Sequence, residues 1–420
     1  MKSLVITKVS PIPSPDTAYG GGKRMDMLLA AIRSFSDEIE VAYFARPDQI
    51  SALGPLARHE AALSEAWGRA VRLTPIPTRS RAHTSWNHYG AGALSLWGQD
   101  EYHEYSGPDQ VARVAESVSR GPDLVLASSL LAMAAFMRAR TRPARLFLDL
   151  ENIEHKARLR YALTPPFWPG KLLYATHAPA IFWAERRAIG LADATFVCSE
   201  LDRQHLRRLG MGRGVEVVPN ALPVPPDPAP PAPSPTVLFL GTYGYQPNCD
   251  AAERLIQHIW PLVRERVPEA RLLIAGKGSE RLASFKAAPP GVTFTGFVDD
   301  LDGLYAASRV VACPLTAGGG TRLKLVEAAS YGRPMVSTRV GAEGLDFEAD
   351  REIVLRDDDA GFADACARLL RDDAECDRLG RAARAKMQAR YGMDEIAARV
   401  ARIMTAGGDG ARRRGEPAPG

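Results

Sequence analysis

The residues best suited to chemistry lie in one stretch, Pro314-Leu315-Thr316-Ala317-Gly318-Gly319-Gly320-Thr321-Arg322-Leu323-Lys324-Leu325-Val326-Glu327. The apolar run Arg309–Pro314 reads as a buried strand, the three glycines as a turn, and a helix is expected to begin near Thr321. Glycines allow the main chain to approach a ligand closely. A helix start offers unpaired N–H groups at the positive end of its dipole, which together make an anion site suited to phosphate or diphosphate. Arg322 and Lys324 add formal charge beside it. Lys324 and Glu327, three residues apart, are expected on one helical face directed back toward the turn. There Glu327 is placed to accept two hydrogen bonds from a ribose diol, each about 1.5–3 kcal/mol as a charge-assisted bond. The same residues also fit a plain glycine turn followed by a Lys–Glu pair on a helix surface. Their surroundings favour the site. Gly241-Thr242, Gly276-Lys277-Gly278, Gly296-Phe297-Val298 and Gly341–Gly344 each follow a strand-like run, where backbone in a parallel sheet comes near a nucleotide.

The elements that must position these residues alternate along the chain. Strand-like runs fall at Ser3–Val9, Ile39–Phe44, Asp123–Ala127, Arg145–Leu150 and Ala194–Ser199. A second series falls at Thr236–Leu240, Arg271–Ala275, Val292–Thr295, Arg309–Pro314, Pro334–Thr338 and Glu352–Leu355. Such near-continuous apolar runs suit parallel strands buried on both faces. Helical stripes separate them, for example Ala252, Leu255, Ile256, Ile259, Leu262 and Val263, which Pro261 should kink or cut. The fold class is therefore α/β, as two Rossmann-like doubly wound domains facing across a cleft. The expected boundaries are 1–218, a proline-rich semi-rigid connector at 219–235, a second domain at 236–390, a terminal helix at 391–406 and a frayed tail at 407–420. Whether that last helix returns to the first domain is left open.

Composition narrows the function classes. The 420 residues are 46% apolar and 24% charged, an ordinary globular mixture. A net charge of +4, from 53 basic against 49 acidic residues, makes no case for nucleic acid. Five cysteines include no C-x-x-C pair, so a reducing, cytoplasmic setting is expected. All eight histidines precede residue 259 without ligand spacing, and no metal is expected. The apolar stretch Leu172–Leu191 carries His177, Glu185, Arg186 and Arg187 and should not span a bilayer.

Other segments carry weaker signals. Gly20-Gly21-Gly22-Lys23-Arg24 reads as a flexible loop after the first strand, able to meet a ligand on closure. Asp149, Glu151 and Asn152 follow a strand at its carboxyl end; they either position a ligand or, for Asp149 and Asn152, cap the next helix. His155 is expected on a helix surface. Asp300-Leu301-Asp302 matches a D-x-D metal pattern but reads as a helix cap. Residues 74–107, including the aromatic insertion 83–105, read either as a loop folded over its own aromatics or as a lid. Tyr161–Ile189 reads as a core helix, with a membrane-surface helix as the alternative.

The second half resembles family 4 glycosyltransferases, the "group 1" class with the GT-B fold. The resemblance rests on GTYGYQPNCDA from Gly241, LLIAGKG from Leu272, VTFTGFVDDLDGLY from Val292, and PLTAGGGTRLKLVEAASYGRPMVSTRVGAEGL ending at Leu345. The first half matches more loosely, through YGGGKRMDMLLAAI, LDLENIEHKARLR, IGLADATFVCSELD and VEVVPNAL. Three departures stand out. The first Glu of the family's Glu-x7-Glu pattern falls on Gly319, with Glu327 as the second. The usual Arg and Lys after the first strand of the second domain are replaced by Tyr243–Asn248, so that Arg322 and Lys324 are candidates to supply their charge. The family's histidine after an earlier strand is replaced by Ser128-Ser129.

The resemblance implies a metal-independent hexosyltransferase without cofactor, using a nucleoside diphosphate sugar as co-substrate. It implies retention of anomeric configuration, with the leaving phosphate taking the acceptor's proton, in polysaccharide or glycoconjugate synthesis. Donor contacts are assigned to Gly241, Thr242, Lys277, Phe297, Val298, Gly318, Gly319, Gly320, Thr321, Lys324, Leu325 and Glu327, with catalytic roles for Lys324, Arg322 and Glu151. Acceptor contacts are assigned to Gly21, Gly22, Lys23, Asp149 and Asn152. The expected acceptor is a glycan or lipid-linked sugar, with peripheral contact at the inner face of a membrane. The alternatives are a nucleotide-sugar-binding partner without catalysis, and an epimerase of the same architecture.

Overall fold

The computed structural model describes residues 1–12, 20–79, 93–96, 99–139, 141, 143–163, 167, 171–172, 175–287 and 289–406. Two units emerge. Met1–Pro219 joins the segment beginning at Asp394, and Asn220–Met393 forms the other. In the first unit the strands are β1 (Lys2–Thr7), β2 (Glu38–Ala45), β3 (Ala70–Pro77), β4 (Leu124–Ser128), β5 (Leu146–Leu150), β6 (Ala194–Val197) and β7 (Val215–Val217). They form a seven-stranded sheet in the order β3-β2-β1-β4-β5-β6-β7, every pair parallel. The second unit holds β8 (Thr236–Leu240), β9 (Arg271–Ala275), β10 (Val292–Gly296), β11 (Val310–Cys313), β12 (Met335–Ser337) and β13 (Val354–Leu355). Their order is β10-β9-β8-β11-β12-β13, again parallel. Both sheets therefore reverse direction of growth once, between β1 and β4 and between β8 and β11. Ligands of doubly wound sheets bind outside the strand ends at such points.

The edges explain what the hydrophobic pattern missed. β3 and β7 were not anticipated. β3 reads AVRLTPIP, whose Pro75 and Pro77 are tolerated because an edge strand needs hydrogen bonds on one side only. β10 alternates between half-buried and exposed residues and is likewise an edge, rather than a strand buried on both faces. Pro261 neither cuts nor sharply breaks its helix. Gln246–Arg254 runs into a π-helical turn, Leu255–Ile259, and continues as Trp260–Arg266, which places the donor-less proline in a fresh first turn.

The proline-rich stretch is not a free connector. Proline carbonyls have no nearby proline N–H to bond, and arginines of the second unit satisfy them instead. Arg333 Nη2 donates to the carbonyls of Ala229 and Pro230 at 2.8 and 3.3 Å, and Arg384 Nη2 donates to that of Pro225 at 2.6 Å. The terminal helix Met393–Ala406 belongs almost wholly to the first unit, where the Met404 carbonyl accepts from Arg145 Nη1 at 2.8 Å. Among the described residues, no helix is long and apolar enough to cross a membrane. Arg412–Arg414, and Trp86, His88, Tyr89 and Trp97 of the aromatic insertion, lie outside the described residues.

Gly20–Arg24 is helix, not loop: it opens Gly20–Arg33. The cause lies in Arg24, which is 2% exposed and bonds Asp149 through Nε at 3.0 and 2.9 Å while Nη1 donates to the Val218 carbonyl at 3.0 Å. This pair ties the helix to the carboxyl end of β5. Asp149 therefore neither faces an open site nor caps a helix, because Arg24 engages both its oxygens. Removing one partner of such a buried pair leaves an uncompensated charge and costs about 3–5 kcal/mol. Asp149→Asn should lower unfolding free energy by that amount in denaturant titration, and Arg24→Met with Asp149→Leu should recover most of it. A loss near the exposed-pair value of about 1 kcal/mol or less would show that the pair is solvated.

Candidate functional site

The glycine turn follows β11 at the point where the second sheet reverses. Gly318 and Gly320 have φ of 117 and 66, values that favour glycine. At Gly318 space decides as well, since a Cβ would lie 2.8 Å from Tyr245 Oη and 2.9 Å from Arg322 Nη2. The following helix, Leu323–Ser330, starts two residues later than the sequence suggests, with Arg322 as its N-cap in extended conformation. Thr321 is drawn aside instead, its Oγ1 held by Asn220 Nδ2 at 2.8 Å.

Arg322 is the chemical centre of the turn. It is only 8% exposed. Its Nη1 donates to the carbonyls of Gly319 and Gly320, while Nε and Nη2 are buried with no hydrogen-bond partner among the described residues. A buried guanidinium with two idle N–H edges is costly in the empty protein and ready for a fork-shaped anion. Tyr245, exposed and lying with its hydroxyl against the same glycine, lines this position.

Lys324 turns toward β8 and away from Glu327. Its Nζ donates to Asn248 Oδ1 at 2.9 Å and sits 4.3 Å from the Phe239 ring centroid, and Asn248 Nδ2 in turn donates to the Thr242 carbonyl at 3.0 Å. Burial, with repulsion from Arg322, pulls the ammonium down to about 8. Glu327 is 6% exposed and accepts from Tyr305 Oη at 3.1 Å, so the Lys–Glu pair does not share one target. Tyr305 stacks on Tyr331 at 4.3 Å between centroids. Leu325 is a core residue and reaches a ligand only through its main chain.

The other strand-end glycines serve packing first. A Cβ on Gly276 would lie 1.8 Å from the Gly241 carbonyl oxygen, so this glycine permits the β8 and β9 ends to touch each other. Gly341 is similarly pressed against Ser337 and the Cys313 carbonyl. Around them Thr242, Lys277 and Phe297 are exposed, Gly241 and Val298 half-buried. Asp300 caps helix Leu301–Ala306 by accepting from Gly303 N at 2.8 Å, and Asp302 accepts from Tyr331 Oη at 2.7 Å.

In the first unit Gly21, Gly22 and Lys23 form the opening turn of helix Gly20–Arg33, with Gly22 buried. Glu151 is bonded to Lys8 Nζ; burial raises its carboxyl, but the Lys8 ammonium and the Arg24 guanidinium together hold it below the usual range. Asn152 is half-buried in the bend before helix Glu154–Ala162, whose N-cap is Ile153. His155 is not at a surface. It is 5% exposed, donates from Nδ1 to Glu185, and meets His205 at 3.0 Å through Nε2. Glu185, fully buried, also accepts from Glu154 N at 2.7 Å. An acidic residue on the apolar face of Ala178–Leu191 was the one signal of this cluster in the sequence. Asn220, Tyr245, Asn248 and Tyr305 were likewise not singled out, because nothing in their spacing marks them before the strands are assembled.

Comparisons with known proteins follow the same division. The family described as Glycosyl transferases group 1 matches residues 234–372, and the Glycosyl transferase 4-like domain matches residues 20–221. A GDP-mannose-dependent alpha-(1-6)-phosphatidylinositol monomannoside mannosyltransferase of Mycobacterium tuberculosis is 26% identical over 304 residues, covering 63% of this chain and 78% of that protein. Among solved structures, Anabaena Alr3699/HepE in complex with UDP and glucose is similar at TM-score 0.63 and 16% identity, over 97% of this chain and 100% of that one. The sucrose-phosphate synthase of Thermosynechococcus elongatus is similar at TM-score 0.70 and 16% identity, over 96% and 98%. At those identities the two structures show the fold alone.

Lys324 gives the site a pH signature. Its ammonium is charged below about 8 and neutral above, so affinity for a nucleoside diphosphate should fall as pH rises through that value. Calorimetry between pH 7 and 9 should show the fall in the parent chain and a flat profile in Lys324→Met. A parent profile as flat as the variant's would remove Lys324 from contact with the anion.

Proposed function

The chain belongs to the group 1 glycosyltransferases, with the paired Rossmann-like sheets of GT-B enzymes, and we propose that its Asn220–Met393 unit holds the nucleoside diphosphate of a sugar donor at the Gly318–Thr321 turn. The observation that supports this most strongly is the buried Arg322 guanidinium, whose Nε and Nη2 are unpaired among the described residues. In this reading Arg322 and Lys324 neutralise charge on the departing diphosphate, a role in which preorganised cations and N–H groups are most effective. Glu327, steadied by Tyr305, accepts from the ribose hydroxyls, and the main chain around Phe297 and Val298 meets the base. Gly319 offers no side chain to the sugar, so main-chain groups of the turn serve there.

The acceptor is a hydroxyl of a glycan or lipid-linked sugar. Its oxygen bonds to the anomeric carbon as the bond to the diphosphate oxygen breaks, and the proton leaves on that phosphate. In keeping with the family resemblance we read the transfer as retaining. The mannosyltransferase relative, by its name, acts on a phosphatidylinositol monomannoside, which supports a lipid-linked acceptor. So does the outer face of Ala178–Leu191, where Trp183 is 65% exposed and Arg186 and Arg187 are exposed beside it, a pairing suited to an anionic membrane surface.

The test is a panel of nucleotide sugars offered with soluble glycans and with lipid-linked sugars in vesicles. We expect release of UDP or GDP with transfer to at least one acceptor and retention by NMR of the product. Arg322→Ala should weaken nucleotide binding roughly 10–150-fold, the loss of charge-assisted bonds worth about 1.5–3 kcal/mol. Tight nucleotide binding with no turnover across the panel would favour a binding partner over an enzyme. Transfer to soluble glycans alone would remove the membrane-surface part of the reading.

A further inference from the structure

The carboxyl end of β4 holds a hydroxyl that the chemistry above does not use. Ser129, first residue of helix Ser129–Ala139, has φ 80. Residues with a Cβ avoid that region, and such outliers gather where function holds them. Ser129 is 6% exposed, and its Oγ is buried with no hydrogen-bond partner among the described residues. Two separate penalties, one of backbone and one of desolvation, thus fall on one residue. Glycine would relieve the first and remove the second, yet the chain keeps the hydroxyl.

The neighbours explain what it suits. β4 lies between β1 and β5. Register pairs Ile6 with Ala127 and Ser128 with Asp149, so Lys8 and Glu151, which follow the ends of β1 and β5, flank the end of β4 from which Ser129 departs. The Lys8–Glu151 ion pair therefore spans the strand end that Ser129 terminates. This is the reversal point between β1 and β4, where doubly wound sheets take their ligands. An ammonium, a carboxylate and a hydroxyl in one patch offer both donors and acceptors, which matches vicinal hydroxyls that each donate and accept. A free phosphate suits it less well, because the ionised Glu151 would oppose it.

We propose that Ser129, with Lys8 and Glu151, receives the vicinal hydroxyls of a polyol and is a specificity-determining residue for the acceptor. The acceptor role rests on the glycosyltransferase reading; the polyol site itself does not.

Saturation-transfer NMR on the full chain tests this, with methyl α-mannoside, methyl α-glucoside, myo-inositol and glycerol as probes. Ser129→Ala deletes the hydroxyl and keeps the backbone strain, whereas Ser129→Gly deletes both. At least one probe with vicinal hydroxyls should bind the parent, and both variants should weaken it roughly five-fold or more. Ser129→Gly should melt at or above the parent temperature, so that its loss of binding is not misfolding. Unchanged polyol binding in Ser129→Gly, no polyol binding in the parent, or inorganic phosphate competing better than any polyol would each overturn the assignment. UDP and GDP binding, measured alongside, should be equal in all three proteins. Its absence from the parent would count against the donor site alone, with polyol binding still deciding the role of Ser129.

Discussion

A guanidinium taken out of water must find partners for its N–H groups, and Arg322 finds them on only one of its edges. Nη1 is satisfied by two turn carbonyls, while Nε and Nη2 face no protein acceptor among the described residues. Leaving charged donors buried and unpaired is among the more expensive arrangements a fold can keep. An anion with two oxygens in a plane would repay it, and phosphate is one of the biological anions that fit a fork.

Much of the second unit can be understood as holding that edge in place. Asn220 fixes Thr321, so the helix begins at Leu323 and Arg322 stays extended. Gly318 has no Cβ because the guanidinium and the Tyr245 hydroxyl occupy its space. Lys324, Asn248 and the Thr242 carbonyl form a chain that ties the turn to the end of β8. Further out, Arg333 and Arg384 bind the carbonyls of the proline-rich stretch, and so steady the segment from which Asn220 projects. In the first unit a different buried arginine, Arg24, locks its helix to β5 through Asp149 and leaves Glu151, two residues on, to pair with Lys8.

Periodicity in the sequence was enough to identify the parallel α/β class and most central strands, since strands buried on both faces must be apolar throughout. The two edge strands of the first sheet escaped, because β3 carries prolines and β7 is three residues long. The Gly-Gly-Gly-Thr-Arg turn stood out because its residue types serve few other purposes. The partners of that turn did not, because Asn220 and Thr321 are 101 positions apart and meet only when the strands are in order. Charged residues inside apolar stretches were read as interruptions; Glu185 shows that one of them is the buried anchor of a histidine pair. Strand-end glycines were read as room for a ligand, whereas Gly276 makes room for Gly241.

The account depends on what Arg322 does when nucleotide is present, and a crystal structure of the chain grown with UDP or GDP reads that directly. It should show diphosphate oxygens within hydrogen-bonding distance, about 3 Å, of Arg322 Nε and Nη2, with the ligand lying along Gly318–Thr321. Nucleotide bound at another place in the unit, with the Arg322 edge still unpaired, would contradict it.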